Sequence, residues 1–242
     1  MNDPVAHPTM PETRFSATRF FDLTHTEHPD LFQPGGAVWD VLSRIASYLA
    51  ERIDGQQIAG AEVSPMACIG PKVFLGEGVK VEPFATIKGP AWIGPGTTIR
   101  SGAYLRENVI TGRNATLGNS SEFKNCLLFD SVQVPHFNYV GDSILGYRAH
   151  LGAGVILSNV RLDREHVVVT AGEERFPSGL RKFGAIVGDH TEIGCNAVLS
   201  PGSIVGRSCI LYPGVQWRGY LPSNQIVKLN QHHTLFERRK KD

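Results

Sequence analysis

The sequence predicts an all-β solenoid built from triangular coils, and three regularities of the chain predict it. Apolar residues recur at nearly every sixth position from Val63 to Phe129, and the phase returns from Tyr139 to Leu157 and from Val187 to Trp217. Four positions after each of them the residue is mostly small or β-branched, and glycine often follows the apolar residue. A helix repeats near 3.6 residues and a half-buried strand near 2, so a period of six requires a different object.

Three hexads can form one triangular coil, in which each flat face is a short strand and each corner is a turn that tolerates unusual backbone angles. We expect the sixth-position residue to point inward and the small residue to lie near a corner. Of the 22 sixth-position residues, 21 are apolar, and they correspond to roughly seven coils. Each coil would bury the faces of its neighbours, since no coil is stable alone.

The chain divides into four parts. Residues 1–34, rich in proline, histidine and threonine, are expected to form an extended arm, and residues 35–56 a helix and a linker. Residues 57–218 would form the coils, with residues 160–185 looping out because they are too long for a corner. Residues 219–242 would be a tail. One helical face collects the apolar residues Val38, Val41, Leu42, Ile45, Tyr48, Leu49 and Ile53.

Composition argues against several partners. The formal charge of +1 does not favour nucleic acid or an anionic membrane surface, and the basic run at 238–241 is interpreted as a solvated tail. The chain has no apolar run of membrane-spanning length and no signal-peptide pattern, so we expect a cytoplasmic protein. Its four cysteines contain no C-x-x-C pair, which favours reduced thiols and no metal site.

The rhythm of six loses its phase near QVPHFN, residues 133–138. Phe129 and Tyr139 are ten residues apart, where two hexads would need twelve. We therefore expect the slip to force the chain off its regular face and to place His136 on an irregular edge, with Pro135 stiffening the departure. Tyr139 then occupies an inward position, where it could be a core aromatic or a ligand contact.

The run EFKNCLLFDSVQVPHFNYVGDSILGYRAHLGAGVILSN at 122–159, with SGLRKFGAIVGDH at 178–190, resembles a specific family. It is similar to the hexapeptide-repeat acyltransferases, in particular the C-terminal acetyltransferase domain of bifunctional N-acetylglucosamine-1-phosphate uridylyltransferases and of archaeal sugar-1-phosphate nucleotidyltransferases. The resemblance covers residues 37 to about 215. It implies a left-handed parallel β-helix, a homotrimer, and acetyl transfer from acetyl-CoA to glucosamine 1-phosphate, as in UDP-N-acetylglucosamine precursor synthesis.

The resemblance also assigns roles to residues. His136 would be the general base that takes a proton from the attacking amine; an imidazole, with an unperturbed pKa of about 6.5, suits this role. Arg106 and Lys124, which are 18 residues apart, would hold the sugar phosphate. The other matching positions would contact the sugar or the acetyl-CoA: Tyr139, His150 and Asn159 for the sugar, and Ala153, Arg181, Lys182 and Cys195 for acetyl-CoA.

Two departures from the bacterial pattern leave the acceptor open: His150 replaces the usual asparagine, and Val160 replaces the tyrosine that follows Asn159. At an acetyl-CoA contact position, Cys195 replaces the usual bacterial serine. The nucleotide loop of the full-length relatives, an L-x-x-G-x-G-T-x-M-like run, does not occur in this sequence, so we expect no nucleotidyltransferase activity.

Two other functions remain open from the sequence. A zinc enzyme of the γ-carbonic-anhydrase type could use His136, His150 and His190, although no histidine pair in the coils has the five-residue spacing of that family. The chain could also be a non-catalytic β-helix that binds a sugar phosphate without turnover.

Overall fold

The computed structural model describes residues 14–58 and 60–238. The first 13 residues of the expected arm lie outside the described residues, as does most of the basic run at 238–241.

Between Gln57 and Val227 the chain winds into a left-handed parallel β-helix with three flat faces, as the repeat and the resemblance predicted. Every strand of the three faces pairs in parallel with the equivalent strands of the adjacent coils. The first face contains Gln57–Ile58, Val73–Leu75, Ala91–Ile93, Val109–Thr111, Cys126–Leu128, Ile144–Leu145, Ala185–Val187, Ser203–Val205 and Tyr220–Leu221. The second face contains Glu62–Val63, Lys80–Val81, Thr98–Ile99, Thr116–Asn119, Gln133–His136, His150–Leu151, Glu192–Ile193, Ile210–Leu211 and Ile226–Val227. The third face contains Cys68–Ile69, Thr86–Ile87, Tyr104–Leu105, Glu122–Lys124, Tyr139–Gly141, Ile156–Leu157, Val198–Leu199 and Gln216–Trp217.

The stack is longer than the roughly seven coils expected, because two faces have nine strands each. Part of the difference comes from residues 219–242, which were expected to be a tail. Tyr220–Leu221 and Ile226–Val227 continue the first and second faces, so the coils extend beyond residue 218.

The sixth-position residues fill the interior of the prism. Leu75, Ile93, Leu105 and Leu117 are each fully buried and lie in register with their counterparts in the next coil. Corner residues take left-handed backbone angles, which asparagine, serine and glycine tolerate at small cost.

The phase slip lies elsewhere than the sequence suggested. The inward residues after Phe123 are Leu128, Val134 and Val140, followed by Leu145, all fully buried. One residue is therefore lost between 123 and 128 and another between 140 and 145. Both losses fall at the corner between the third and first faces, so the strand containing Pro135 keeps its regular register.

Phe129 and Tyr139 were consequently assigned to the wrong positions. Phe129 follows the inward Leu128 and packs outward against Phe21, with ring centroids 4.7 Å apart. Tyr139 precedes the inward Val140 and faces outward on the third face. Both side chains are apolar, as inward residues are, but their register with the neighbouring coils shows that they do not point into the prism.

The first face is apolar on its outer side as well, and the N-terminal segment covers it. Its outward residues Ile110, Leu127, Ile144, Ile186 and Ile204 are fully buried. Residues 14–34, expected to be an extended arm, form the 3₁₀ turns Ala17–Arg19, Leu23–His25 and Pro29–Leu31 on this face. A further turn, Val38–Asp40, leads into the helix Val41–Arg52.

The helix follows the expected amphipathic pattern, since Val41, Leu42, Ile45, Tyr48 and Leu49 are buried. The segment reaches along the stack: Phe15 and Phe20 contact Tyr220 at one end, and His28 contacts Trp92 near the other. Within the described residues, no helix is long and apolar enough to cross a membrane.

Residues 160–185 leave the prism at the corner between the third and first faces, as their length predicted. They contain an antiparallel hairpin of Val168–Ala171 and Glu174–Pro177. The segment returns where the Phe183 amide donates to the Asn159 carbonyl at 3.0 Å and the Gly184 amide to the Asp142 carbonyl at 2.7 Å.

A buried histidine helps to join the N-terminal segment to the prism. His28 is 2% exposed, and its Nδ1 lies 2.9 Å from the Tyr48 hydroxyl. Its ring meets Trp92 nearly at right angles, and Nε2 has no hydrogen-bond partner among the described residues. Burial lowers the pKa of His28 to about 4, and the nearby Arg52 guanidinium adds to this effect.

This histidine predicts an acid-sensitive stability. In the unfolded chain the pKa of His28 returns to about 6.5, so protonation favours unfolding. The contribution is fully present above pH 6.5 and is lost as the pH falls towards 4, by about 3 kcal/mol. Urea unfolding between pH 7 and 4 should show a shallower pH dependence for His28→Gln than for wild type. The exposed-site control His166→Gln should retain the wild-type slope, and equal slopes in all three proteins would contradict the assignment.

Candidate active site

One edge of the prism, between the second and third faces, brings together a histidine and small residues. Asn119, His136, Ala153, Cys195 and Pro213 follow one another along this edge, which we call the edge column. The Phe137 amide donates to the Asn119 carbonyl at 2.9 Å, and the Gly154 amide donates to the His136 carbonyl at 3.0 Å. The same bonding continues from Asn196 to Ala153 and from Gly214 to Cys195. The column is therefore a consequence of coil register.

His136 lies on this edge because of regular geometry and not because of a local slip. It is the second residue after the inward Val134 and pairs with Asn119, which holds the same place after Leu117. His136 is exposed, and the following Phe137 has a left-handed φ of 53° and is 60% exposed. An imidazole at this position is accessible to a ligand.

A buried asparagine fixes the turn that carries His136. Asn138 is 3% exposed, and its Oδ1 accepts from the His136 amide at 3.0 Å. Its Nδ2 donates to the Gly152 carbonyl at 2.7 Å, and its own amide donates to Ser121 Oγ at 3.1 Å. Asn138 thus connects three successive coils directly beneath the histidine.

The third face carries two stacked cations, on its side towards the corner with the first face. Arg106 and Lys124 follow the paired residues Leu105 and Phe123, so they lie one coil apart, as their spacing of 18 predicted. Arg106 donates to Glu122 at 3.0 Å, and this hydrogen bond raises the pKa of the guanidinium. Glu107 lies 3.8 Å from both cations. The two cations therefore already have carboxylate partners.

Tyr139 and Asn159 complete what we call the polar patch, which consists of Arg106, Lys124, Tyr139 and Asn159. Both side chains lie over Gly141: a Cβ there would be 2.6 Å from the tyrosine hydroxyl and 2.8 Å from the asparagine Nδ2. Only glycine leaves this space open. Burial raises the pKa of the Tyr139 phenol, and the carboxylates of Asp142 and Glu122 add to this effect. The hydroxyl therefore stays protonated at neutral pH and can donate.

A buried carboxylate orients the asparagine of the polar patch. Asp142 is 4% exposed and accepts from Asn125 Nδ2 at 3.0 Å and from Asn159 Nδ2 at 2.5 Å. Asn125 also donates to the carbonyl of Leu42 on the helix, at 3.1 Å. These residues occupy the corner that the two one-residue losses shorten. With its Nδ2 directed to Asp142, Asn159 keeps its Oδ1 as an acceptor for a ligand.

The remaining predicted residues lie away from the edge column. His150 faces outward on the second face, where its Nδ1 is 2.7 Å from Glu192 Oε2. Arg181 and Lys182 border a cavity of about 260 Å³ at the opposite edge of the third face from Ala153 and Cys195. Within one chain the structure therefore joins His136, Ala153 and Cys195 in the edge column and the four other residues in the polar patch, and it leaves His150, Arg181 and Lys182 apart.

The described residues contain no group of three or more histidine, cysteine, aspartate or glutamate side chains that could hold a metal ion. His136 and His190, two of the three candidate zinc ligands, lie at opposite edges of the second face. The four cysteines are all free thiols.

Sequence reasoning missed Asn138, Gly141, Asp142 and Glu122. Their roles depend on contacts with residues 14 to 18 positions away in adjacent coils, which become visible only with the correct register. The available signal was the pair of asparagines flanking the aspartate at 17-residue spacing, 125, 142 and 159.

The stacked parallel faces of hexapeptide repeats form the left-handed β-helix that is found in hexapeptide-repeat acyltransferases. A model of the GMPPB C-terminal domain matches residues 87–173. The chain is 32% identical over 192 residues to the bifunctional protein GlmU of Methanococcus maripaludis strain C5. The matched region covers 77% of this chain and 46% of that protein. The chain is therefore related to the C-terminal acetyltransferase region of the GlmU-like proteins.

Two further relatives agree with this relationship. A bifunctional sugar-1-phosphate nucleotidylyltransferase/acetyltransferase of Sulfurisphaera tokodaii is 31% identical over 179 residues, or 74% of this chain and 44% of that protein. The uncharacterized acetyltransferase YaiX of Escherichia coli O6:K15:H31 is 30% identical over 152 residues, or 63% of this chain and 66% of that protein. The chain spans about half the length of the bifunctional relatives.

Removal of the buried carboxylate should destabilise the corner. Asp142→Ala leaves the Asn159 amide without its acceptor and removes one acceptor of Asn125, which should lower the free energy of unfolding by about 1–3 kcal/mol. Asp54→Ala, at an exposed position after the helix, should change it by less than about 0.5 kcal/mol. Guanidinium titration measures both values, and equal stabilities of the two variants would exclude the proposed bonding.

Proposed function

We propose that the protein transfers the acetyl group of acetyl-CoA to the amino group of an amino-sugar 1-phosphate, with glucosamine 1-phosphate as the reference acceptor. The observation that carries the proposal is the exposed position of His136 in the edge column, where the second face meets the third face that carries the polar patch. The acetyltransferase relatives support the reaction class.

The residues of the patch suit a phosphorylated sugar. Arg106 and Lys124 offer several donors one coil apart, about 5 Å, which fits the oxygens of one phosphate group. Phosphate would replace Glu107, whose contacts with both cations are long at 3.8 Å, while the 3.0 Å bond from Arg106 to Glu122 keeps the guanidinium in place. The Tyr139 hydroxyl and the Asn159 Oδ1 would then bind sugar hydroxyl or amide groups.

The edge column suits a pantetheine arm. Gly152, Ala153 and Gly154 place no bulky side chain on the edge, and Cys195 follows one coil further on. A thioester that lies along this edge ends next to His136. Arg181 and Lys182 would bind the phosphates of acetyl-CoA held by a neighbouring subunit, because they lie across the third face from this chain's own column. His150 would contact the sugar across the same boundary.

The chemistry then follows from the positions of the groups. The sugar amine attacks the thioester carbonyl carbon, and His136 accepts the proton that the amine loses on forming the new C–N bond. The tetrahedral intermediate collapses with cleavage of the C–S bond, and CoA leaves as the thiolate. Asn138 holds the backbone of His136 and so fixes the point on the edge from which the imidazole extends.

Replacement of the base is the direct test of this proposal. His136→Ala should lower kcat for acetyl-CoA-dependent acetylation of glucosamine 1-phosphate by about 10²–10⁴-fold, since a positioned base contributes that much. Thiol release with a chromogenic reagent measures the rate, and the exposed His166→Ala serves as a matched control with wild-type activity. An unchanged rate in His136→Ala would contradict the role of His136 as the general base. A wild-type protein that binds the sugar phosphate without releasing thiol would instead be a binding protein.

The proposal includes a homotrimer. His136 lies on an open edge of a single chain, and the second face has no covering segment among the described residues, in contrast to the first face. A neighbouring copy would supply the missing wall and bring Arg181 and Lys182 to the edge column. Light scattering coupled to size-exclusion chromatography should give three times the chain mass of 26.5 kDa. A monomeric mass at micromolar concentration, together with full activity, would contradict this arrangement.

A further inference from the structure

A cleft opens on the third face, on the C-terminal side of the polar patch. Its floor continues the column of Arg106, Lys124 and Gly141: Ser158, Ser200 and Arg218 follow the paired residues Leu157, Leu199 and Trp217, one coil apart. One wall is formed by the segment 160–163 where the chain leaves the prism, together with Val168 of the hairpin. The volume is about 480 Å³, within the range of about 300–1,000 Å³ that small-molecule sites have.

The polar side of this cleft is open to a ligand. The hydroxyls of Ser158 and Ser200 and the guanidinium of Arg218 make no side-chain hydrogen bond or ion pair within residues 14–58 and 60–238. Arg161, also at the cleft, is instead held by Asp163 through its Nε at 2.8 Å and a second contact through Nη2. Arg218 is therefore the cation of the cleft that is free to pair with an incoming anion.

The positive charge around the cleft is not compensated as it is in the polar patch. Val160 separates the cleft from the neighbouring cavity, which is lined by Arg164, Arg181 and Lys182. With Arg161 and Arg218 the two cavities carry five cationic side chains, whereas Asp163 and Glu165 are the acidic residues of the adjoining segment. Clustered charge of one sign in a concave surface focuses the potential and attracts a counter-ion of the opposite sign.

The other lining is apolar. Val160, Leu162, Val168 and Pro201 face the cleft, and Leu162 is fully exposed to solvent in the isolated chain. An anion such as inorganic phosphate would leave this wall unused. A ligand that carries a planar, weakly polar body together with a phosphate would cover the apolar wall and also pair with Arg218.

We propose that this cleft binds a nucleoside phosphate, with the phosphate on Arg218 and Ser200 and the base against Leu162, Val168 and Pro201. The site is separate from the polar patch, and its occupation does not depend on acetyl transfer. Two sources of this chemistry exist: the adenosine bisphosphate end of CoA and a separate nucleotide.

Calorimetric titration of the full chain tests the proposal with three probes: adenosine 3′,5′-bisphosphate, uridine 5′-monophosphate and inorganic phosphate. At least one nucleotide should bind to wild type, and Arg218→Gln should weaken it by about tenfold or more, as expected for the loss of one charge-assisted contact. Arg175→Gln, which removes the same charge from an exposed hairpin position outside the cleft, should bind as wild type does.

A second variant, Ser200→Asp, places a carboxylate on the cleft floor and should abolish binding while the thermal unfolding midpoint stays within a few degrees of wild type. Binding of the adenosine bisphosphate that acetyl-CoA displaces would identify the ligand as the nucleotide end of the cofactor. Binding of the uridine nucleotide that CoA does not displace would identify a separate nucleotide. The proposal is overturned if neither nucleotide binds, if inorganic phosphate binds as tightly as both, or if Arg218→Gln binds with wild-type affinity. None of these readouts uses acetyl transfer, so failure of the proposed function would be seen separately, in the thiol-release assay.

Discussion

The structure depends on one constraint: in every coil, the same three positions must point into the prism. Because successive side chains of a strand point to opposite faces, a shift of one residue within a strand would expose an inward leucine or valine and bury its polar neighbour. Changes of coil length are therefore confined to corners. The coils that pass through residues 123–145 lose their two residues at one corner, between the third and first faces, and every strand keeps its register.

The shortened corner has consequences for the candidate site. It places Asn125, Asp142 and Asn159 directly above one another, and the carboxylate between the two amides fixes the direction of Asn159. The same register aligns Arg106 with Lys124 and His136 with Ala153. The candidate site is thus a product of coil stacking, with the N-terminal segment occupying the first face and leaving the other two faces open. Because the segment 160–185 also leaves from this corner, its cations lie on the same face as the polar patch.

Much of the fold could be predicted from the sequence, because a period of six that is apolar at nearly every position leaves few alternatives. The location of the slip could not. Phe129 and Tyr139 are as apolar as their inward neighbours Leu128 and Val140, so hydrophobicity alone does not show which residue of each pair points inward. Phe129 packs against Phe21 of the N-terminal segment, and Tyr139 borders a polar surface. The packing of residues 14–34 on the first face could not be predicted from the sequence either. Their phenylalanines follow no period, and Phe20 and Phe21 contact aromatic rings more than 100 residues away.

The candidate site divides in the same way. The stacking of Arg106 and Lys124 follows directly from their spacing of 18 within regular coils. The roles of Asn138 and Asp142 did not follow, because buried polar residues acquire their function from partners in the next coil, and those partners are known only when coils of 17 and 18 residues are told apart.

A crystal structure of the protein with CoA and glucosamine 1-phosphate would test the central claim most directly, that coil register places a base on one edge within reach of an acceptor site on the adjoining third face. The account predicts a ring nitrogen of His136 about 3 Å from the sugar amine, with the phosphate on Arg106 and Lys124 and the CoA thiol next to Ala153. A sugar bound on the second face, or an amine beyond the reach of this imidazole with another base beside it, would contradict the account.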